Sequence, residues 1–171
     1  MSDRPKLNLA QICTDLEIKE KIETFNQLLS RQPKGEWIKT HPMTKQLYIP
    51  ISVHEKLLRT IFQQYNIEIR EVKPIFNAIV VSVRVHYLHP VTGTWMYHDG
   101  VGAVGAQTKK DTKPSDMSEI LADAVMKAAP AAESYAIKDA CEKFGDLFGA
   151  NINRKDLVNI NSLFDYSTIL E

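Results

Sequence analysis

The chain is poor in cysteine, has no long apolar run, and carries charges that cancel. Two cysteines in 171 residues, Cys13 and Cys141, build neither a disulfide framework nor a cysteine metal centre. A reducing, cytoplasmic setting is the expectation. No apolar run approaches the roughly 20 residues of a membrane helix, and residues 1–11 lack the apolar segment of a secretory signal. No membrane partner is therefore expected. Seven glycines and eight prolines are too few for a collagen-like or low-complexity chain. With 44% hydrophobic and 25% charged residues, what remains is an ordinary globular domain. At this size a domain buries about 70% of its unfolded surface.

Net charge is zero, with 21 basic and 21 acidic residues. Their distribution is uneven. Residues 31–113 hold 12 Lys/Arg against 6 Asp/Glu, and the rest holds 9 against 15. All five histidines (His41, His54, His86, His89 and His98) lie in that basic middle. A basic middle in a neutral chain fits an anionic partner on one face. An ordinary mixed surface fits it equally well.

Thr14 and Glu17 have capping-box spacing, and Leu16, Ile22, Phe25 and Leu29 follow at helical intervals, which predicts a helix over 14–31. Residues 36–51 read as short and extended. Ser52 and Glu55 repeat the capping spacing ahead of a stripe of Val53, Leu57, Leu58, Ile61 and Phe62. The centre reads as a β-meander: Ile67–Lys73, Ala78–Tyr87 and Thr94–Val104. In the middle strand Ile79, Val81, Val83, Val85 and Tyr87 share one face, and Val80, Ser82, Arg84 and His86 the other. One apolar and one polar, basic sheet face follow. Residues 106–114 read as a mobile polar loop. Met117, Ile120, Leu121, Ala124, Val125 and Ala128 form a helical stripe that Pro130 breaks or kinks. A second segment runs from Ala131 to Phe148 with Gly149 as its C-cap, and a short helix is expected around Leu157–Phe164. The fold class is α+β, an antiparallel three-stranded meander packed by a long helix, with N-terminal helices before it. Three parts are expected: 1–45, a core over 46–156, and a tail over 157–171.

Chemistry-bearing patterns are weak. Gly100 to Gly105 reads G-x-G-x-x-G, but a dinucleotide site needs those glycines between a strand and a helix N-terminus. Here they extend a strand of a meander, so a close approach of helix or backbone explains them better. His86, His89, His98 and Asp99 could meet across a hairpin, without any zinc-type spacing. Asp139, Glu142 and Asp146 lie at helical spacing, usual for a solvated face. Cys141 reads as a buried structural thiol. No catalytic group, metal or cofactor is expected. The remaining signal is cationic and aromatic. Arg70, Lys73, Arg84, Lys109, Lys110 and Lys113 fall on the strands or the loop after them. Lys56, Arg59 and Tyr65 fall on or just after the second helix. Trp37, Tyr48, Trp95 and Tyr97 are interleaved with them. Cationic grooves with aromatic faces hold single-stranded nucleic acid, although most such aromatics belong to the core.

Residues 132–149, Ala-Glu-Ser-Tyr-Ala-Ile-Lys-Asp-Ala-Cys-Glu-Lys-Phe-Gly-Asp-Leu-Phe-Gly, resemble the signature helix of the Rad-fifty-two superfamily of single-strand annealing proteins, which includes phage Sak-like recombinases. Val81–Val85, and Tyr97-His98-Asp99-Gly100-Val101-Gly102 after a turn, are similar to the family's meander. Tyr48-Ile49 before the second helix resembles the element ahead of it. The resemblance covers about residues 46–156. It implies a β-β-β-α core in an oligomeric ring or filament with a positively charged groove. The implied activity is ATP-independent binding and annealing of complementary single-stranded DNA in homologous recombination and repair. For larger members the implied partners include a recombinase or a single-strand-binding protein. Lys138 falls on the groove lysine of the family helix. Asp139 and Glu142 stand where the family often has Arg, so Lys143, Arg154 and Lys155 are compensating candidates, along with Arg84. Two other readings stay open: a small nucleotide-binding enzyme using Gly100–Gly105, and a monomeric double-stranded RNA-binding module of α-β-β-β-α order.

Overall fold

The computed structural model describes residues 9–154 other than 43 and 114, with residues 9–13 as backbone only. In chain order the elements are α1 (Leu9–Leu29), a 3-10 turn (Gly35–Trp37), β1 (Lys39–Thr40), β2 (Leu47–Tyr48), α2 (Ile51–Phe62), β3 (Tyr65–Ile75), β4 (Ala78–Leu88), β5 (Trp95–Gly105), a 3-10 turn (Met117–Glu119), α3 (Ala124–Glu142) and a 3-10 turn (Asp146–Phe148). The fold is α+β: a meander in the order β3-β4-β5 packed by α3, with helices N-terminal to it. β1 and β2 form a separate antiparallel hairpin, and the boundary expected at 45/46 falls inside it. No described helix is long and apolar enough to cross a membrane.

The alternation along β4 sets the architecture. Val81, Val83, Val85 and Tyr87 are buried, while the intervening Val80, Ser82, Arg84 and His86 face away, half-buried. Helix α3 lies across β4 and β5 on the buried side, and β3 joins the core there through Tyr65 and Ile67. Residue size lets it come close. Ala128, Ala132, Ala136 and Ala140 recur every four residues on one face of α3 and are all buried. Gly100 and Gly102 of β5 face them. A Cβ at Gly100 would come within 3.0 Å of Ala136 O and Ala140 N, and one at Gly102 equally close to Ala132 O and Ala136 N. The G-x-G-x-x-G string is thus the floor on which a helix rests. Phe144 closes one end of the core, with ring centres 4.5–5.0 Å from Phe62, Tyr87, His98 and Phe148.

Several local expectations are corrected. Thr14 and Glu17 lie inside α1, which begins at Leu9. Among its described side chains Phe25 and Leu29 are buried, and Leu16 is 56% exposed. Ser52 does not cap α2; Pro50 holds that position without a side-chain hydrogen bond. The helix expected from Met117 begins only at Ala124. Residues 117–121 are drawn instead to the 107–109 segment, by a Thr108–Ile120 bridge and by Leu121 N–H donating to Gln107 O (3.0 Å). The same contacts tie down the loop expected to be free. Helix α3 continues through Pro130. It ends at Glu142, and Gly149 (φ 92°) caps the 146–148 turn instead. The helix expected around Leu157–Phe164, with the tail over 157–171, lies outside the described residues.

Candidate functional site

Of the cations singled out in the sequence, Lys138 has the most distinctive setting. The β1–β2 hairpin is held by Asn153, whose Oδ1 accepts from Leu47 N–H (2.9 Å) and whose Nδ2 donates to Leu47 O (2.7 Å). Tyr48 is thereby set against α3. Lys138 Nζ lies 5.2 Å from the centre of the Tyr48 ring and 5.0 Å from that of Tyr135. Tyr135 is one helical turn away and shares its face. His41, Thr44, Gln46 and Leu47 complete a cleft of about 240 Å³. Burial holds the Lys138 ammonium below its ordinary pKa, with Glu142 opposing that shift. Lys138 makes no salt bridge among the described residues. A half-desolvated cation over two ring faces, in the field of Glu142 but without a salt bridge among the described residues, attracts an anion.

The open face of the sheet is different, and the expectation of a basic face is corrected. Register places Asp99 opposite Arg84, and the two form a bidentate pair (2.6 and 2.8 Å). The Arg84 guanidinium also stacks 3.8 Å over Tyr97. Pairing raises the Arg84 pKa and holds the Asp99 carboxyl low. Arg70, at a bulge between Ile69 and Glu71, pairs with Glu68 (2.9 Å), and Lys73 pairs with Glu71 (2.9 Å). Each of these three cations has its own acid.

The other predicted residues scatter. Lys143 donates to the Asp99 carbonyl oxygen and lies 3.5 Å from Asp139. Arg154 is exposed, and its field reaches Glu142 beside Lys138. Lys155 lies outside the described residues. Lys56 and Arg59 are exposed on α2. Tyr65 is partly buried against the core. Lys109 pairs with Glu119 (2.5 Å), while Lys110 and Lys113 are exposed in the loop. The imidazoles do not converge. His86 meets Glu68 (3.0 Å) on the open face, His98 meets Tyr87 (3.3 Å) on the core side, and His89 accepts from N–H groups of its own turn. Among the described residues no group of three His, Cys, Asp or Glu is placed to hold a metal ion. Burial pushes the Cys141 thiol up to about 12, which leaves it inert.

Sequence reasoning missed three things. Tyr135, not singled out in the sequence, is 46% exposed and flanks Lys138; its place one turn before a lysine was the available signal. Asp139, read as solvated, accepts a hydrogen bond from Val101 N–H (3.1 Å) at the edge of β5. His54, counted with the basic middle, is 1% exposed. Comparison with protein-family models finds no match. Comparison with curated proteins finds no significant match either.

Proposed function

We propose that this protein binds single-stranded DNA at the Lys138 cleft and anneals complementary strands without ATP, as a ring or filament of identical subunits, in recombination and repair. The observation that carries this reading is Lys138 itself. It is a cation between Tyr48 and Tyr135 with no salt bridge among the described residues, at the position where the 132–149 segment resembles the groove lysine of the annealing family. A phosphate placed there replaces condensed counterions, so affinity falls steeply with salt. Contacts to backbone and ring faces are indifferent to sequence, and base pairing then supplies the discrimination.

Exposed apolar surface supports self-association. On one flank Ile69, Val72, Phe76, Met117 and Val125 are uncovered, and on the open face Trp95, Tyr97 and Val101. Two unlike patches on one subunit suit a head-to-tail contact, which closes into a ring or runs on as a filament. The order α2-β3-β4-β5-α3 favours a second reading, a monomeric double-stranded RNA module. Mass in solution, measured with single-stranded oligothymidylate and with duplex RNA at low and high salt, tests both. A large assembly that binds the single strand in a salt-sensitive way is expected, and annealing of complementary oligonucleotides without nucleotide follows. A monomer indifferent to single strands overturns the annealing reading, and one that prefers duplex RNA replaces it.

A further inference from the structure

Helix α1 is longer than its own core requires. Phe25 and Leu29 anchor its C-terminal end, but every residue from Thr14 to Lys21 is exposed. Two of these are large and apolar, Leu16 (56%) and Ile18 (40%). A helix in water gains most of its stability by burying one face, and this stretch buries none within the subunit. Asp15 and Glu17 flank Leu16, so the exposed end presents an apolar residue between two acids. A counterpart lies at the other end of the same helix. Leu28, Trp37, Leu57 and Ile61 line a groove of about 490 Å³, with Arg31 and Lys34 at its rim. Leu28, Trp37 and Ile61 are only partly buried there. Arg31 is exposed, and Lys34 reaches Glu36 only at 3.9 Å, with both side chains largely in solvent. An apolar floor with a cationic rim matches an apolar helix end that carries acids. One subunit cannot make that match alone. Helix α1 is continuous from Leu9 to Leu29, and at about 1.5 Å per residue Leu16 stands about 18 Å from Leu28 along its axis. The exposed end therefore points away from the groove of its own chain.

We propose that residues 14–21 of α1 dock in the α1–α2 groove of a second copy of this chain, with Leu16 on the apolar floor and Asp15 and Glu17 against Arg31 and Lys34. An amphipathic helix laid in an apolar groove is a recurring mode of recognition. Helix end and groove are different surfaces, so the contact is head-to-tail and repeats from copy to copy. The inference rests on reading the protein as a ring or filament and names a contact that links its subunits, alongside the apolar patches already described.

Mass in solution, measured on the full chain and its variants at one protein concentration, tests this. Every substituted side chain is exposed, and the thermal midpoint reports that each variant folds. Leu16→Glu is expected to lower the mean mass severalfold, and Arg31→Glu with Lys34→Glu to do the same. Asp15→Lys with Glu17→Lys should dissociate the assembly alone and restore it when combined with the reversed groove. Leu16→Glu chains keep a working groove, and reversed-groove chains keep a working helix end. Mixed in equal amounts, the two should pair into particles of twice the subunit mass and no larger. A mass unmoved by Leu16→Glu, or not restored by the combined reversal, overturns the contact and leaves the ring-or-filament reading standing. A wild-type monomer overturns both. Masses that follow helix end and groove in a protein indifferent to oligothymidylate uphold the contact and sink the annealing reading instead.

Discussion

The open face of the sheet and the Lys138 cleft both carry cations and aromatic rings, yet they differ in what each cation touches. Arg84, Arg70 and Lys73 meet Asp99, Glu68 and Glu71 at 2.6–2.9 Å. Lys138 meets two tyrosine rings and forms no salt bridge among the described residues, with Glu142 acting on it through its field alone. A cation already paired releases few counterions when a phosphate arrives, and an unpaired one releases its own. The excess of basic residues over 31–113 is therefore a poor guide to where an anion binds. Three cations of that interval sit on carboxylates of the same interval, while the lysine set between two rings lies outside it.

Both regions depend on α3 lying flat on β5, so the largest effect should come from prising them apart. Gly102→Leu puts a side chain where a single Cβ already meets Ala132 O and Ala136 N. These are backbone atoms and cannot swing aside. The cost is expected at the top of the roughly 1–3 kcal/mol range for overpacking or beyond it, read as a fall in the thermal midpoint of about 5–10 °C. Gly105→Ala, with nothing within 4 Å of its added Cβ, should change the midpoint little. Equal behaviour of the two variants would mean that α3 does not rest on β5 as described.

The next effect separates the regions directly. Lys138→Met should weaken single-strand binding about tenfold and lower the salt slope by about one. It should also raise the thermal midpoint slightly, because the ammonium is held half-desolvated. Arg84→Met should change affinity less than about threefold, since Asp99 already neutralises that charge. Equal losses would show that the open face shares the strand, and a larger loss for Arg84→Met would move the binding site there.

The fold was legible where side-chain period and size speak. The alternation from Ile79 to Tyr87 identified β4 and both of its faces, and the glycines from Gly100 to Gly105 marked a strand that a helix or backbone approaches closely. The helix starts were less legible, because competing pairing is non-local: Thr108 and Ile120 compete with helix at Met117 through a contact that no local window sees. In the site, Lys138 was reached through the resemblance of residues 132–149. Its partners Tyr48 and Tyr135 come from elements 87 residues apart in their furthest members, Tyr48 and Tyr135, and only tertiary docking brings them together. The Arg84–Asp99 pair was illegible for the same reason, since the two meet across a hairpin register, whereas Glu68–Arg70 and Glu71–Lys73 are neighbours two residues apart.

Acid should weaken the whole molecule before it weakens the open face. His54 and His98 both titrate below their usual value near 6.5, chiefly because they are buried. Between that value and their lowered folded values, the unfolded chain binds the extra protons. Stability is thus complete above about pH 6.5 and declines as pH falls through that window. The Asp99 and Glu68 carboxyls are held low by their cations, so their contribution is lost only at more acid pH. Thermal midpoints followed from pH 7.5 to 3 should show two stages. His54→Gln should flatten the first and leave the second, and a single transition below pH 4 would rule the histidine stage out.

The smallest effect concerns Asp139, which stands between the two regions. Its carboxylate accepts from Val101 N–H at 3.1 Å, while Lys143 beside it donates to Asp99 O. Together they occupy backbone groups along the outer edge of β5, a position otherwise open to a further strand. The opposite edge, β3, is guarded differently, by the bulge at Ile69–Glu71 and by Pro74, which has no N–H to offer. An acid therefore stands beside Lys138 because it closes a strand edge, and in doing so it places a negative charge where the resembling family often has a positive one. Asp139→Asn keeps an acceptor for Val101 and removes the charge. Asp139→Ala removes both. Each should raise single-strand affinity less than about threefold, through the charge alone. Only Asp139→Ala should lose stability, by less than about 1 kcal/mol because water can reach the freed N–H, and only it should show concentration-dependent association through the opened edge. If Asp139→Asn associates as readily as Asp139→Ala, the carboxylate acts by repulsion and not by occupying the edge.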